Sequence, residues 1–135
     1  MLTVFSKAMR TAVLTAASPF VGQAVYADLA PKGVKLPYVV ISVQSANTPN
    51  RMSIREGRVT FNVQAMVNAL ESGDALASQI HEAIFNHLRD LSLTLESPWV
   101  FHRLEHLTSY RRVDITDTQR IAYAGGLYLL EADET

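Results

Sequence analysis

The stretch RVTFNVQAMV, residues 58–67, carries the clearest period in the chain. Val59, Phe61, Val63, Ala65 and Val67 alternate with Arg58, Thr60, Asn62 and Gln64. Successive side chains of a strand point to opposite faces, so the pattern predicts one buried face and one that is wet or paired. A second strand stands upstream, inside APKGVKLPYVVISV at residues 30–43. There Val39, Ile41 and Val43 share one face, while Tyr38, Val40, Ser42 and Gln44 share the other, which predicts a strand over residues 38–44. Pro31 and Pro37 stiffen its approach and Gly33 lets the chain turn between them. Pro37 sits where a strand tolerates proline, at its start. Residues 45–57, SANTPNRMSIREG, join the two runs as a polar connection. The arrangement predicts an antiparallel hairpin with an extended tip.

Outward from this hairpin, the N-terminal residues 3–17 read as a helix with Val4 (or Phe5), Met9, Val13 and Ala16 or Ala17 along one stripe. It is expected to stop before Pro19, because the residue preceding a proline is pushed out of the helical region. Lys7, Arg10 and the TAVLTAA run also loosely resemble a secretory signal. The basic residues come late and the apolar stretch is broken, so the helix is the better reading. Residues 24–27 suit a short strand. Ser72 is expected to cap a second helix running to about Arg89, with Leu76, Ile80, Ile84 and Leu88 recurring every four residues.

A strand over residues 99–112 follows, with a bulge or bend expected near Arg103-Leu104 where its alternation breaks. VDITDT, residues 113–118, reads as a turn. The last strand, residues 119–131, is expected to bury Ile121, Tyr123, Leu127 and Leu129. Its other face has Ala122, Ala124 and Gly126, small enough to admit another backbone. The acidic tail EADET is expected to fray. The order predicts an α+β fold, a mostly antiparallel sheet of four to five strands with two helices packed on one face, in a single domain over residues 1–135. The other face, with Tyr38, Val40, Tyr128 and Leu130 among polar residues, or its edges, is where a partner is expected.

Composition narrows the function classes. The 135 residues suffice for one core. Only 19% are charged, below the roughly 25% of ordinary domains, as suits a surface partly hidden against partners. A net charge of −1 gives no support for nucleic-acid binding through bulk electrostatics. The absence of cysteine excludes disulfides, thiolate zinc sites and cysteine nucleophiles. No run approaches the roughly 20 apolar residues that span a bilayer, so no membrane partner is expected.

The histidines do not assemble along the chain. His81 and His87 are six apart, about 240° around a helix, and cannot share an ion without a third element. His102 and His106, four apart in an expected strand, stand about 13 Å from one another, too far for one zinc. Asp114 and Asp117 read as turn residues. Gly125-Gly126 lacks the strand–turn–helix context of a nucleotide fingerprint. No nucleophile, base, metal or cofactor is nominated, and the chain reads as a protein that is not an enzyme. The one local charge concentration is the hairpin tip, where Arg51, Arg55 and Arg58 are offset only by Glu56. With Met52 and Ile54 beside them, these residues are the candidate partner contacts.

The elements now stand in a recognisable order. A starting helix leads to Val25-Tyr26, then Ala30-Pro31, then Leu36-Pro37-Tyr38-Val39-Val40-Ile41. A polar loop, the strand VTFNVQAMV, the helix ALASQIHEAIFNHL, an arginine-containing strand, an Asp-rich turn and a strand ending Leu-Tyr-Leu-Leu complete the series. Over about residues 3–132 it resembles the small tail-completion, or tail-terminator, proteins of long-tailed bacteriophages and their prophage relatives.

The resemblance implies a ring, typically a hexamer, at the head-proximal end of the tail tube. Such a ring stops polymerisation of the tail tube protein and presents a surface to the head connector or neck protein. DNA passes through its lumen without sequence recognition. The implied location is the virion tail, reached through assembly in the host cytoplasm, with no cofactor and no catalytic residue. A lumen that lets DNA slide should avoid strong positive charge, so Arg51, Arg55 and Arg58 are expected to face protein partners. Two alternatives stand beside this reading: a head-completion or neck protein of the same particle, and a small α+β enzyme or ligand-binding domain that uses the histidines.

Overall fold

A computed structural model describes residues 1–48, 50–51 and 54–135, with the side chains of Asn50, Arg51, Ile54 and Ser72 outside the description. Its elements run α1 (Leu2–Val21), β1 (Val25–Ala27), β2 (Tyr38–Asn47), β3 (Asn50–Arg51), β4 (Ile54–Asn68), α2 (Ala69–Ser72), α3 (Ala75–Leu88), β5 (Trp99–Ile115) and β6 (Arg120–Glu134). The main strands lie in the order β1-β2-β4-β6-β5, and the two-residue β3 pairs with β4. β1 joins β2 in parallel; the remaining pairings are antiparallel. The fold is α+β, with a mostly antiparallel sheet, as the sequence predicts.

The alternation in β4 works as expected. Val59, Phe61, Val63, Ala65 and Val67 are all buried. α1 presses Phe5, Met9, Val13 and Ala17 into the core they form, and α3 adds Ala77, Ile80, Ile84 and Leu88. The ladder between β4 and β6 is unbroken from Arg55 opposite Glu134 to Asn68 opposite Ile121. Directly opposed residues share a face of the sheet. Leu130, Tyr128, Gly126, Ala124 and Ala122 are therefore under the helices, because they oppose Val59, Phe61, Val63, Ala65 and Val67.

This register inverts the facing expected for β6. Ile121, Tyr123, Leu127 and Leu129 lie on the face without helices, and Tyr128 and Leu130 lie in the core. β6 is apolar on both faces, as a central strand is, so hydropathy alone does not choose between them. The small residues do admit a neighbour. A Cβ at Gly126 would stand 3.0 Å from His81 Cε1 on α3 and 3.1 Å from the Thr108 carbonyl oxygen on β5.

Other boundaries move for local reasons. α1 runs through Pro19 to Val21. A proline in the last turn forfeits a single bond, here to the Thr15 carbonyl. The helix then closes at Gly22 (φ 62°), whose N–H donates to the Ser18 carbonyl at 2.9 Å. The helix expected to be capped by Ser72 starts at Ala75, with Asp74 at its N-cap. Ser72 ends the short α2, which Asn68 opens by accepting the Leu70 N–H on its Oδ1 at 3.1 Å. Asp74, just before α3, instead receives Arg120 through two nitrogens at 2.8 and 3.2 Å, and these bonds hold its carboxyl below the usual carboxylate range. Much of the polar connection at residues 45–57 is strand, since β2 extends to Asn47 and β4 starts at Ile54.

β5 reaches Ile115, into the expected turn, and β6 runs to Glu134. The tail expected to fray is held there between Arg55 and Trp99. β5 carries the bulge expected near Arg103, between Phe101 and Arg103, and a second between His106 and Thr108 that no pattern announced.

Tyr128 is 1% exposed, and its hydroxyl has no hydrogen-bond partner among the described residues. Burial pushes its pKa up to about 12. An unpaired buried hydroxyl costs about 1–3 kcal/mol, so Tyr128→Phe should leave stability unchanged or raise it in a denaturant titration. Tyr128→Ala, which empties the site, should lower it by about 3–5 kcal/mol.

Candidate assembly surfaces

Three surfaces carry the side chains on which function could rest. The first is the sheet face that α1 and α3 leave uncovered. β6 contributes Leu127 and Leu129 to it, and β4 contributes Thr60, Asn62, Gln64 and Met66. Tyrosines frame this surface. Tyr26 and Tyr38 meet edge to face with centroids 5.9 Å apart, and the Arg112 guanidinium stands 4.2 Å from the Tyr123 ring centre. The Tyr110 hydroxyl donates to Asn62 Oδ1 at 2.6 Å. Amides, hydroxyls and aromatic rings with two leucines between them make a surface suited to a protein partner.

The second surface is an ion-pair ladder at the end of the same face. Glu131 is 3% exposed. Its Oε1 accepts Arg103 at 2.9 Å and lies 3.4 Å from Arg58 Nε. Arg58 Nε also donates to Glu56 Oε1 at 3.1 Å, and Arg103 lies 3.5 Å from Glu105. Arg58 is thereby occupied within its own chain. Arg55, three residues earlier, falls on the opposite face of β4 and lies 3.3 Å from Glu134 Oε2, with 58% of its side chain exposed. The arginines that read as one loop tip are thus divided by the pleat. Arg51 and Ile54 oppose one another where β3 pairs with β4, and Met52 lies outside the described residues.

The third is a cleft of 590 Å³ between α3 and β5, lined by Ser78, His81, Glu82, Phe85, His106, Ser109, Tyr110, Arg111 and Ala124. His81 Nε2 and His106 Nε2 lie 2.9 and 2.8 Å from the same Ser109 Oγ. Burial lowers the His81 pKa, the neighbouring His106 adds to the effect and Glu82 opposes it. Reading the histidines within single elements could not find this pair, because a helix and a strand bring it together. The β-bulge that aims His106 and Ser109 the same way leaves no composition signature.

The family model of tail completion protein gp17 matches residues 4–122. The chain belongs to this tail completion family. Membership supports a structural role in a phage tail. A solved chain from the virion of a native gene transfer agent (GTA) particle has a similar fold, with a TM-score of 0.68 and 17% identity, covering 95% of this chain and 96% of that one. At that identity the likeness speaks to the fold alone. The comparison with curated proteins gave no match.

The ladder makes a prediction about what holds the uncovered face. Glu131→Gln removes a nearly buried carboxylate on which two arginines converge, and should cost about 1–3 kcal/mol in a thermal or denaturant melt. Lys7→Ala breaks a pair exposed on both sides (70% and 60%) and should leave stability unchanged in the same melt.

Proposed function

We propose that this tail completion protein acts as one domain over residues 1–135 and closes into a ring, a hexamer, at the head-proximal end of the tail tube. The ring stops addition of tube protein and offers its other axial face to the head connector or neck protein. DNA passes through the lumen unread. The protein works by binding, with no chemical step, in the virion tail after assembly in the host cytoplasm.

The family match over residues 4–122 carries this reading. The fold supplies suitable parts. A ring needs head-to-tail contacts between unlike patches that close by rotation. The sheet ends in two unlike edges, the 17-residue β5 on one side and the three-residue β1 on the other. The uncovered face between them is the surface assigned here to assembly. At the hairpin tip, Arg51, Met52, Ile54 and Arg55 are assigned to a protein partner and not to the channel, with Arg58 supporting them through Glu56 and Glu131.

Mixing the purified chain with tail tube protein and imaging the products tests the reading. Rings at tube ends and tubes of limited length are expected. Tubes that grow without limit and bare ends would sink it. Arg55→Glu should weaken attachment at one axial face while the isolated ring persists. Loss of the ring itself would show that the tip lies between subunits.

A further inference from the structure

The cleft between α3 and β5 is built with more care than a surface gap requires. His106 and Ser109 are three apart on a strand and would ordinarily point to opposite faces. The bulge between His106 and Thr108 takes Leu107 out of register, so His106 opposes Tyr128 and Ser109 opposes Gly126, both on the helix side. On α3, Ser78, His81, Glu82 and Phe85 follow the spacing of one helix face and line the same cleft.

Gly126 makes room for the rings, since a Cβ there would stand 3.0 Å from His81 Cε1 and 3.3 Å from His106 Nε2. The His106 ring is fixed edge-on by Phe85 at 4.9 Å and Tyr128 at 5.2 Å. The Ser78 hydroxyl, one turn before His81, is buried without a partner among the described residues.

We propose that His81 Nε2, His106 Nε2 and Ser109 Oγ form a binding site for a divalent transition-metal cation of the zinc or copper class. Imidazole nitrogens suit these ions, whereas magnesium and calcium prefer oxygen donors. Ligands held at about 2.0–2.2 Å around a tetrahedral metal are about 3.3–3.6 Å from one another. The two Nε2···Oγ separations, 2.9 and 2.8 Å, need to widen by about 0.4–0.8 Å to meet that range.

Among the described residues no third histidine or carboxylate converges on the point. The open cleft leaves the remaining positions to water. Glu82 on its rim supplies a negative charge and Arg111 opposes it. The ion would tie the edge strand β5 to α3 and stabilise the fold by mass action.

Titration of the chelator-treated, tag-free full chain with zinc chloride and with copper sulfate tests the site, read by calorimetry and by thermal melting. One ion per chain and a raised Tm are expected, with magnesium producing neither. His81→Gln and His106→Gln should each weaken binding more than about tenfold, while His87→Gln and His102→Gln leave it unchanged. Ser109→Ala should lose less.

If a variant fails to fold, the imidazole resonances of the unaltered chain decide the matter: zinc should shift those of His81 and His106 and not those of His87 and His102. No saturable binding would overturn the proposal. So would equal losses from all four histidine variants, or resonance shifts confined to His87 and His102.

Discussion

The rest of the structure depends on the register of β4 against β6. Fourteen consecutive pairs lock the two central strands, and no bulge interrupts them. A slip of one residue would turn every β6 side chain to the other face. Tyr128 and Leu130 would leave the core, and Leu127 and Leu129 would enter it. The alternation of β4 decides where α1 and α3 lie, and the ladder passes that decision to β6 and on to β5. Because both helices use the Val59–Val67 face, the opposite face stays uncovered. The choice of that face as the assembly surface rests on this asymmetry.

The uncovered face is not an unfinished core. Its charged end is satisfied internally, with Glu131 serving Arg103 and Arg58, and Arg58 also serving Glu56. Burial of such groups stabilises only when each has a partner, and here they form a chain of contacts. Its middle is polar but uncharged, and Leu127 and Leu129 lie opposite Asn62 and Thr60 on β4. A protein that acts by fitting its neighbours needs a rigid, self-satisfied surface more than a reactive one. This one is stiffened from below by a packed core and from within by hydrogen bonds such as Tyr110 to Asn62.

The sequence announced those features that repeat within one element. The period-two run at Val59–Val67, the α3 stripe through Ile80, Ile84 and Leu88, and the hairpin of β2 and β4 were all legible because each pattern is local. The ordered series of such elements was enough to bring the tail completion family into view. Features set by pairing between elements were hidden. β6 is apolar on both sides, so its facing had to come from register. Arg55 and Arg58 looked like one tip until the pleat separated them. His81 and His106 meet only because a bulge at Leu107 and the bare Cα of Gly126 allow it.

The absence of cysteine from the chain permits a direct measurement of whether the uncovered face is the assembly surface. Thr108 lies exposed on that face, opposite Leu127, and Gln79 lies exposed on α3. Thr108→Cys and Gln79→Cys chains would be treated with a maleimide, free and again within assembled tails. The account predicts that both react in the free chain and that assembly protects Thr108→Cys. If Thr108→Cys reacted as fast in the tail as in solution, the uncovered face would be free of partners and the account would be contradicted.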